Sequence, residues 1–234
     1  MTDQRGLLDE QIAYYRARVP EFDEWYERRG MYDLGPRWNT QWFAELDELR
    51  AAVDTFAPSG RVLELACGTG LWTEELVRHA SDVTAVDASP EAIEVARRRA
   101  PGARFVCADL FEWEPQGPFD VAFFGFWISH VPSDRFDGFW AMLDRALAPG
   151  GRVFFIDNLG RQLPDIDDEK KFWKREMRPD GVVVRSLNDG REFRIVKHYY
   201  PPDELSARLA TLGWDVRVEH TEWFFYYGSG GRLG

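Results

Sequence analysis

The chain has 234 residues, 44% of them hydrophobic, and a formal net charge of −11. That size suits one α/β domain with a modest addition, large enough to bury a core. The acidity argues against nucleic acid or a membrane surface as partner, since both recruit basic patches. The two cysteines, Cys67 and Cys107, make neither a disulfide framework nor a metal-ligand set, so no metal is expected. The N-terminus carries Asp3, Asp9 and Glu10 and no long apolar run, which reads as a cytoplasmic protein, monomer or homodimer. Ten Trp and seventeen Phe are many, and thick core packing is the commoner cause of such an excess than a ligand pocket.

Taken in order, residues 4–29 read as one or two helices with Leu8, Ile12 and Tyr15 at helical spacing. Gly30 to Pro36 breaks the pattern, and Trp38, Trp42, Leu46, Leu49 and Val53 mark an amphipathic helix. Val62 to Leu65 is a short buried strand, followed by a turn through Gly68 and Gly70 and a helix from Leu71 to Ala80. A strand, a glycine turn and a helix N-terminus form a nucleotide site, because glycine lets a ligand approach the main chain closely. The third glycine of a dinucleotide fingerprint is missing, and Trp72 crowds the place of a pyrophosphate.

Val83 to Asp87 and Phe105 to Asp109 read as two further strands, each ending in an acid. Between them Ser89 caps a helix over 90–99 with Pro90 at its first position, and Arg97, Arg98 and Arg99 offset the macrodipole at its end. Phe119 to Phe124 is a fourth strand, apolar on both faces. Phe136, Phe139, Trp140, Leu143 and Leu147 form a helix that Pro149-Gly150-Gly151 ends, and Arg152 to Asp157 is a fifth strand. This alternation predicts a parallel sheet with helices on both faces and a ligand at the strands' carboxyl ends, which carry Ala66, Asp87, Asp109, Gly125 and Asp157. Asp215 to Glu219 and Trp223 to Tyr227 read as an antiparallel hairpin, with a glycine-rich low-complexity tail over Gly228 to Gly234.

Residues 158–200 interrupt the alternation and read as a substrate cap. Its core is a hairpin, Val182 to Leu187 and Arg191 to Tyr200, around Asn188-Asp189-Gly190. A three-residue loop with Gly190 left-handed puts Val183, Leu187, Phe193 and Ile195 on one face, together with Arg185 and Lys197. A two-residue turn would separate the two cations, and the three-residue loop is favoured for its coherent apolar face. Cations on such a face either reach to water or meet an anion.

Val62 to Gly70, with Asp87 and Asp109 following in order, resembles the E-x-x-C-G-x-G region of class I S-adenosylmethionine-dependent methyltransferases. The resemblance implies a Rossmann-like, doubly wound α/β fold: a mostly parallel seven-stranded sheet with an antiparallel last strand, an N-terminal helical lid and a β-hairpin cap. The expected divisions are 1–56 for the lid and first helix, 57–157 for the cofactor-binding core, 158–200 for the cap, and 201–234 for the last helix and closing hairpin. S-adenosyl-L-methionine is the implied cofactor. Asp87 is expected at its ribose hydroxyls and Asp109 at its adenine amino group, acceptor-only carboxylates facing donors. The wider cofactor set is Tyr14, Glu64, Ala66, Cys67, Gly68, Gly70, Trp72, Ala88, Leu110, Phe124 and Gly125. For the N-terminal helices, a lid over the cofactor stands beside simple packing on the domain. Lid and cap are expected to move on binding.

The cap stretches Arg185 to Arg191 and Phe193 to Lys197, with Tyr14 to Arg18 and His130 to Pro132, are similar to phosphonate O-methyltransferases. There the cap lysine and arginine, with an N-terminal tyrosine, hold an anionic substrate. Lys197 and Arg185 take those places, and Tyr26 and Tyr32 are the candidate tyrosines. For His130, beyond the fourth strand, three readings stand: a packed histidine, a base, or a substrate hydrogen-bond partner. The expected function is O-methylation of a small anionic acceptor, with Lys197 and His130 as catalytic candidates. N-methylation of a small amine and a non-catalytic cofactor-binding regulator are the alternatives.

Overall fold

The computed structural model describes residues 4–161, 163–164 and 181–233. Its helices are α1 (Gln4–Arg18), α2 (Glu24–Glu27), α3 (Pro36–Phe56), α4 (Leu71–His79), α5 (Pro90–Arg99), α6 (Phe136–Ala146) and α7 (Pro202–Thr211). The first five strands are β1 (Arg61–Leu65), β2 (Asp82–Asp87), β3 (Arg104–Cys107), β4 (Phe119–Gly125) and β5 (Leu147–Asn158). A separate hairpin of β6 (Val182–Ser186) and β7 (Glu192–Val196) follows, then β8 (Trp214–His220) and β9 (Phe225–Arg232). The main sheet has seven strands in the order β3-β2-β1-β4-β5-β9-β8. β1 to β5 pair in parallel, and β9 runs antiparallel to both its neighbours. This is the expected doubly wound fold, with the last strand inserted between β5 and β8.

Side chains that alternate along each strand feed two cores, one per face of the sheet. Leu63, Leu65, Phe124 and Phe155 pack with Phe139, Trp140 and Trp214 on one side. Val62, Phe123 and Phe154 pack with Trp42, Leu49 and Phe225 on the other. Because Phe123 and Phe124 lie opposite Phe154 and Phe155 in register, each pair stacks, at 5.9 and 5.2 Å between centroids. Burial of each such ring contributes about 2–3 kcal/mol. Most of the aromatic excess is therefore core. Among the described residues no helix is long and apolar enough to cross a membrane.

Three local expectations change. The glycine tail is strand: β9 continues to Arg232, because a Cβ on Gly228 would lie 2.3 Å from the Phe155 ring and one on Gly230 only 1.9 Å from the Asp215 carbonyl oxygen. Glycine is there for close packing between strands, a use that composition cannot tell from low complexity. β5 begins at Leu147, and Gly150 (φ 78°) lies within it beside a register shift between Phe119 and Val121. β3 ends at Cys107, so Asp109 sits in the loop beyond, where its Oδ1 accepts the Phe111 N–H at 2.9 Å.

The cap hairpin has the three-residue loop. Leu187 N–H donates to the Arg191 carbonyl at 2.9 Å, Gly190 has φ 84°, and Val183 and Arg185 face Ile195 and Phe193. Residues 162 and 165–180 of the expected cap lie outside the described residues. The apolar face does not meet the core. It packs on α1, where Tyr14 joins Val183, Leu187 and Ile195. Buried Gln11 ties α1 down, accepting the Val196 N–H at 2.9 Å and donating to the His130 carbonyl at 3.3 Å.

Candidate active site

Between the strand ends, α1, α2 and the cap hairpin lies a cavity of about 800 Å³. Its floor is the glycine turn after β1. Cys67 N–H reaches the Val86 carbonyl, and Gly68 (φ 54°) gives its N–H to Asp87 Oδ2 at 2.9 Å. A Cβ on Gly68 would come within 3.1 Å of the Phe22 ring, which roofs the turn. Ala66, Phe126 and Arg28, all lining the cavity, also hold positive φ of 54°, 58° and 55°. Non-glycine residues in that region cost conformational energy and concentrate at functional sites.

Glu64 is buried beneath the floor, with Thr73 Oγ1 donating to it at 2.6 Å. Burial pushes its pKa up to about 8, against the pull of the Thr73 bond. Burial likewise raises Asp87, although the N–H groups of Ser89 and Gly68 oppose it. Trp72 closes the floor where Gly125 makes room, since a Cβ there would stand 2.8 Å from the indole.

At the cap end, Lys197 is 5% exposed at its side chain. Its Nζ donates to Ser129 Oγ at 2.7 Å and lies 3.4 Å from Asp157 Oδ1. Asp157 is fully buried at the end of β5 and also accepts the N–H groups of Ser129 and Asn158. An ammonium has three protons, so the third is left for the cavity side, where Tyr199 lies 5.2 Å away. Arg185 lines the same end.

Both nitrogens of His130 are engaged. Nδ1 lies 2.6 Å from the Val196 carbonyl, which can only accept, so it carries the proton. Nε2 then accepts from the Tyr15 hydroxyl at 2.9 Å. Burial, with the Lys197 charge, drives the His130 pKa well below its ordinary 6.5, so the ring is neutral.

Of the residues singled out by sequence, Tyr14, Glu64, Ala66, Cys67, Gly68, Trp72, Asp87, Ala88, Asp109, Leu110 and Gly125 line this one cavity. So do Tyr26, Tyr32, His130, Arg185 and Lys197. Gly70 and Phe124 do not. A Cβ on Gly70 (φ 82°) would strike Ala96 at 2.8 Å, so that glycine lets α4 and α5 approach; Phe124 points into the core. Sequence reasoning missed Tyr15, Arg18, Trp25, Arg28 and Phe126. The spacing Gln11, Tyr14, Tyr15, Arg18 puts polar and aromatic groups on one helical face, a signal that was available. Nothing local marks the other three.

A Rossmann-like sheet with this glycine turn and two acids above it defines a class I S-adenosylmethionine-dependent methyltransferase, and the chain belongs to that family. Residues 62–151 match the family described as a methyltransferase domain. The chain is similar to the protein of the DhpI-SAM-HEP complex, with 39% identity and a TM-score of 0.77 over 97% of this chain and 99% of that one. It is also similar to trans-aconitate 2-methyltransferases of Rhizobium etli (34% identity) and Rhizobium leguminosarum bv. trifolii (39%). Each of those matches covers 69% of this chain and 60% of the relative, so the chain spans well under the relatives' full length.

The cofactor of the family, S-adenosylmethionine, fits the residues present. A buried acid with one hydrogen-bond partner, Glu64, suits a cationic amino acid end, and Gly68 leaves the main chain approachable. Asp87 accepts one N–H at each carboxylate oxygen and Asp109 one at Oδ1, and a carboxylate oxygen has lone pairs for a further donor.

Proposed function

We propose that the protein methylates an anionic oxygen of a small acid, a phosphonate or a carboxylate. The observation that carries this is Lys197, a buried ammonium held by Ser129 and Asp157, with one proton to spare for the cavity that Arg185 also lines. Trans-aconitate, in the name of the curated relatives, is itself a carboxylate, and the cap's likeness to phosphonate O-methyltransferases points the same way.

When bound, S-adenosylmethionine supplies an electrophilic sulfonium methyl. Glu64, Gly68, Asp87 and Asp109 would hold it, with Ala66, Cys67, Trp72, Ala88, Leu110 and Gly125 shaping its bed and Tyr14 closing it from α1. An acid oxygen is ionised near neutral pH, so its attack needs alignment and exclusion of water and no base. Lys197 and Arg185 orient the acid, while Tyr26 and Tyr32 complete the wall. His130 is a positioning residue: with Nδ1 fixed on Val196, it accepts the Tyr15 proton and turns the Tyr15 oxygen's lone pair toward the cavity. A protonated amine would meet Arg18, Arg185 and Lys197, which disfavours N-methylation. The lid comprises α1 and α2, and the cap hairpin is bound to it through Gln11 and the Glu10–Arg194 pair.

The test is S-adenosylhomocysteine release from a panel of phosphonates, carboxylates, phenols and amines, with wild type beside Lys197→Met. Turnover confined to acids, and lost in the variant, is expected. Removing Lys197 leaves Asp157 buried and uncompensated, at a cost of about 3–5 kcal/mol. Lys197→Met/Asp157→Asn, verified as folded by S-adenosylhomocysteine titration, separates that effect. Turnover of phenols or amines, undiminished in the double variant, refutes the acid-orienting cap.

A further inference from the structure

The cavity lining holds a further buried cation that the reading above does not use. Arg28 follows α2 with φ 55° and is only 5% exposed. Its guanidinium lies over an aromatic ring, with Cζ 4.3 Å from the Trp42 centroid. Nη1 reaches the Trp25 carbonyl at a long 3.5 Å, and buried Nε donates to nothing among the described residues. The neighbouring acid, Asp33, spends Oδ1 on the Gly35 N–H and Asn39 Nδ2, at 2.8 and 2.7 Å. Burial brings Arg28 down to about 10, partly offset by Tyr32 and Asp33. A buried guanidinium is ordinarily paired with a carboxylate or phosphate through its planar fork. Among the described residues the fork has no such partner, and it borders a ligand cavity.

We propose that Arg28 is a second anion subsite, and that the acceptor is a diacid whose non-reacting acid group docks on Arg28 while the reacting one docks on Lys197 and Arg185. This rests on the anionic-acceptor reading above and narrows its substrate class. Aromatic rings flanking Arg28 keep the subsite dry, which strengthens one charge-assisted pair and penalises a neutral group in its place.

Calorimetric titration of the S-adenosylhomocysteine complex with ethylphosphonate, one acid, and 3-phosphonopropionate, two acids, tests this without requiring turnover. Wild type is expected to bind the diacid at least tenfold more tightly. Arg28→Met should abolish that advantage, leaving ethylphosphonate affinity within twofold, and Arg28→Lys should restore part of it. Lys197→Met should weaken both ligands. Equal affinity of the two acids for wild type overturns the subsite alone. Binding of neither overturns it together with the anionic-acceptor reading. A loss of S-adenosylhomocysteine affinity in Arg28→Met, with the diacid preference kept, assigns Arg28 to the cofactor's own carboxylate and also overturns the proposal.

Discussion

Glu64 and His130 are both buried, and burial moves their proton affinities in opposite directions. In the cofactor-free protein, Glu64 at about 8 holds a proton that the unfolded chain, at 4.5, gives up. Stability from this group is full below pH 4.5 and is lost as pH rises to 8. His130 is depressed below 6.5, so its contribution is present above pH 6.5 and lost as pH falls. The two oppose each other on the acid side. Between pH 6.5 and 8 Glu64 acts without His130 and should cost about 2 kcal/mol. Urea denaturation of wild type and Glu64→Gln at both pH values should show that slope in the first and its absence in the second; parallel profiles would contradict it. Glu64 was legible because its motif is local. The protonation of His130 was not, because Val196 and Tyr15 arrive from opposite ends of the chain.

Elements were read well where periodicity and turn chemistry agree. Ser89 accepts the Ala92 N–H at 3.0 Å as the cap of α5, and the cap hairpin has the register that its apolar pattern demanded. They were misread where a residue's reason lies across the sheet. Gly230 is the clearest case, since its missing Cβ is room for the Asp215 carbonyl. Gly230→Ala should force β8 away from β9 and cost about 1–3 kcal/mol by overpacking. A melting temperature unchanged from wild type would show that the pairing gives way freely. Glu45 on α3 is a similar long-range device. It is buried and accepts Gln41 Nε2, Thr221 Oγ1 and the N–H groups of Trp223 and Phe224, thereby fixing the aromatic wall before β9. A helical Glu beside Leu46 looks like a solvated position until the fold closes over it.

Across the whole molecule, the N-terminal helices are fastened to the cofactor floor by Arg16 of α1 on Glu91 of α5 and, more deeply, through Asp23. Asp23 takes Arg99 Nη2 at 2.5 Å and Thr69 Oγ1 at 2.8 Å, and Arg99 also reaches the Thr69 carbonyl at 2.9 Å. Arg99, expected only to balance a helix dipole, thus joins α5, the glycine turn and α2. Phe22, next to Asp23 in the chain, covers Gly68. Asp23→Asn should weaken this fastening by about 1 kcal/mol and speed amide exchange over 5–27 roughly fivefold, with the sheet unaffected. Exchange unchanged there would mean that Gln11 and the cap hold the helices instead.

The sequence by itself determined the sheet, the glycine turn and the acids above it, because each is a short-range pattern of burial and backbone freedom. It also placed Lys197 and Arg185 on one face of the hairpin. Only the tertiary structure decided what those charges meet. Lys197 rests on Ser129 and Asp157, Arg28 lies over Trp42, and Tyr15 is spent on His130. A buried charge takes its meaning from its partners, and every one of these partners but Trp42 lies on a segment distant in the chain.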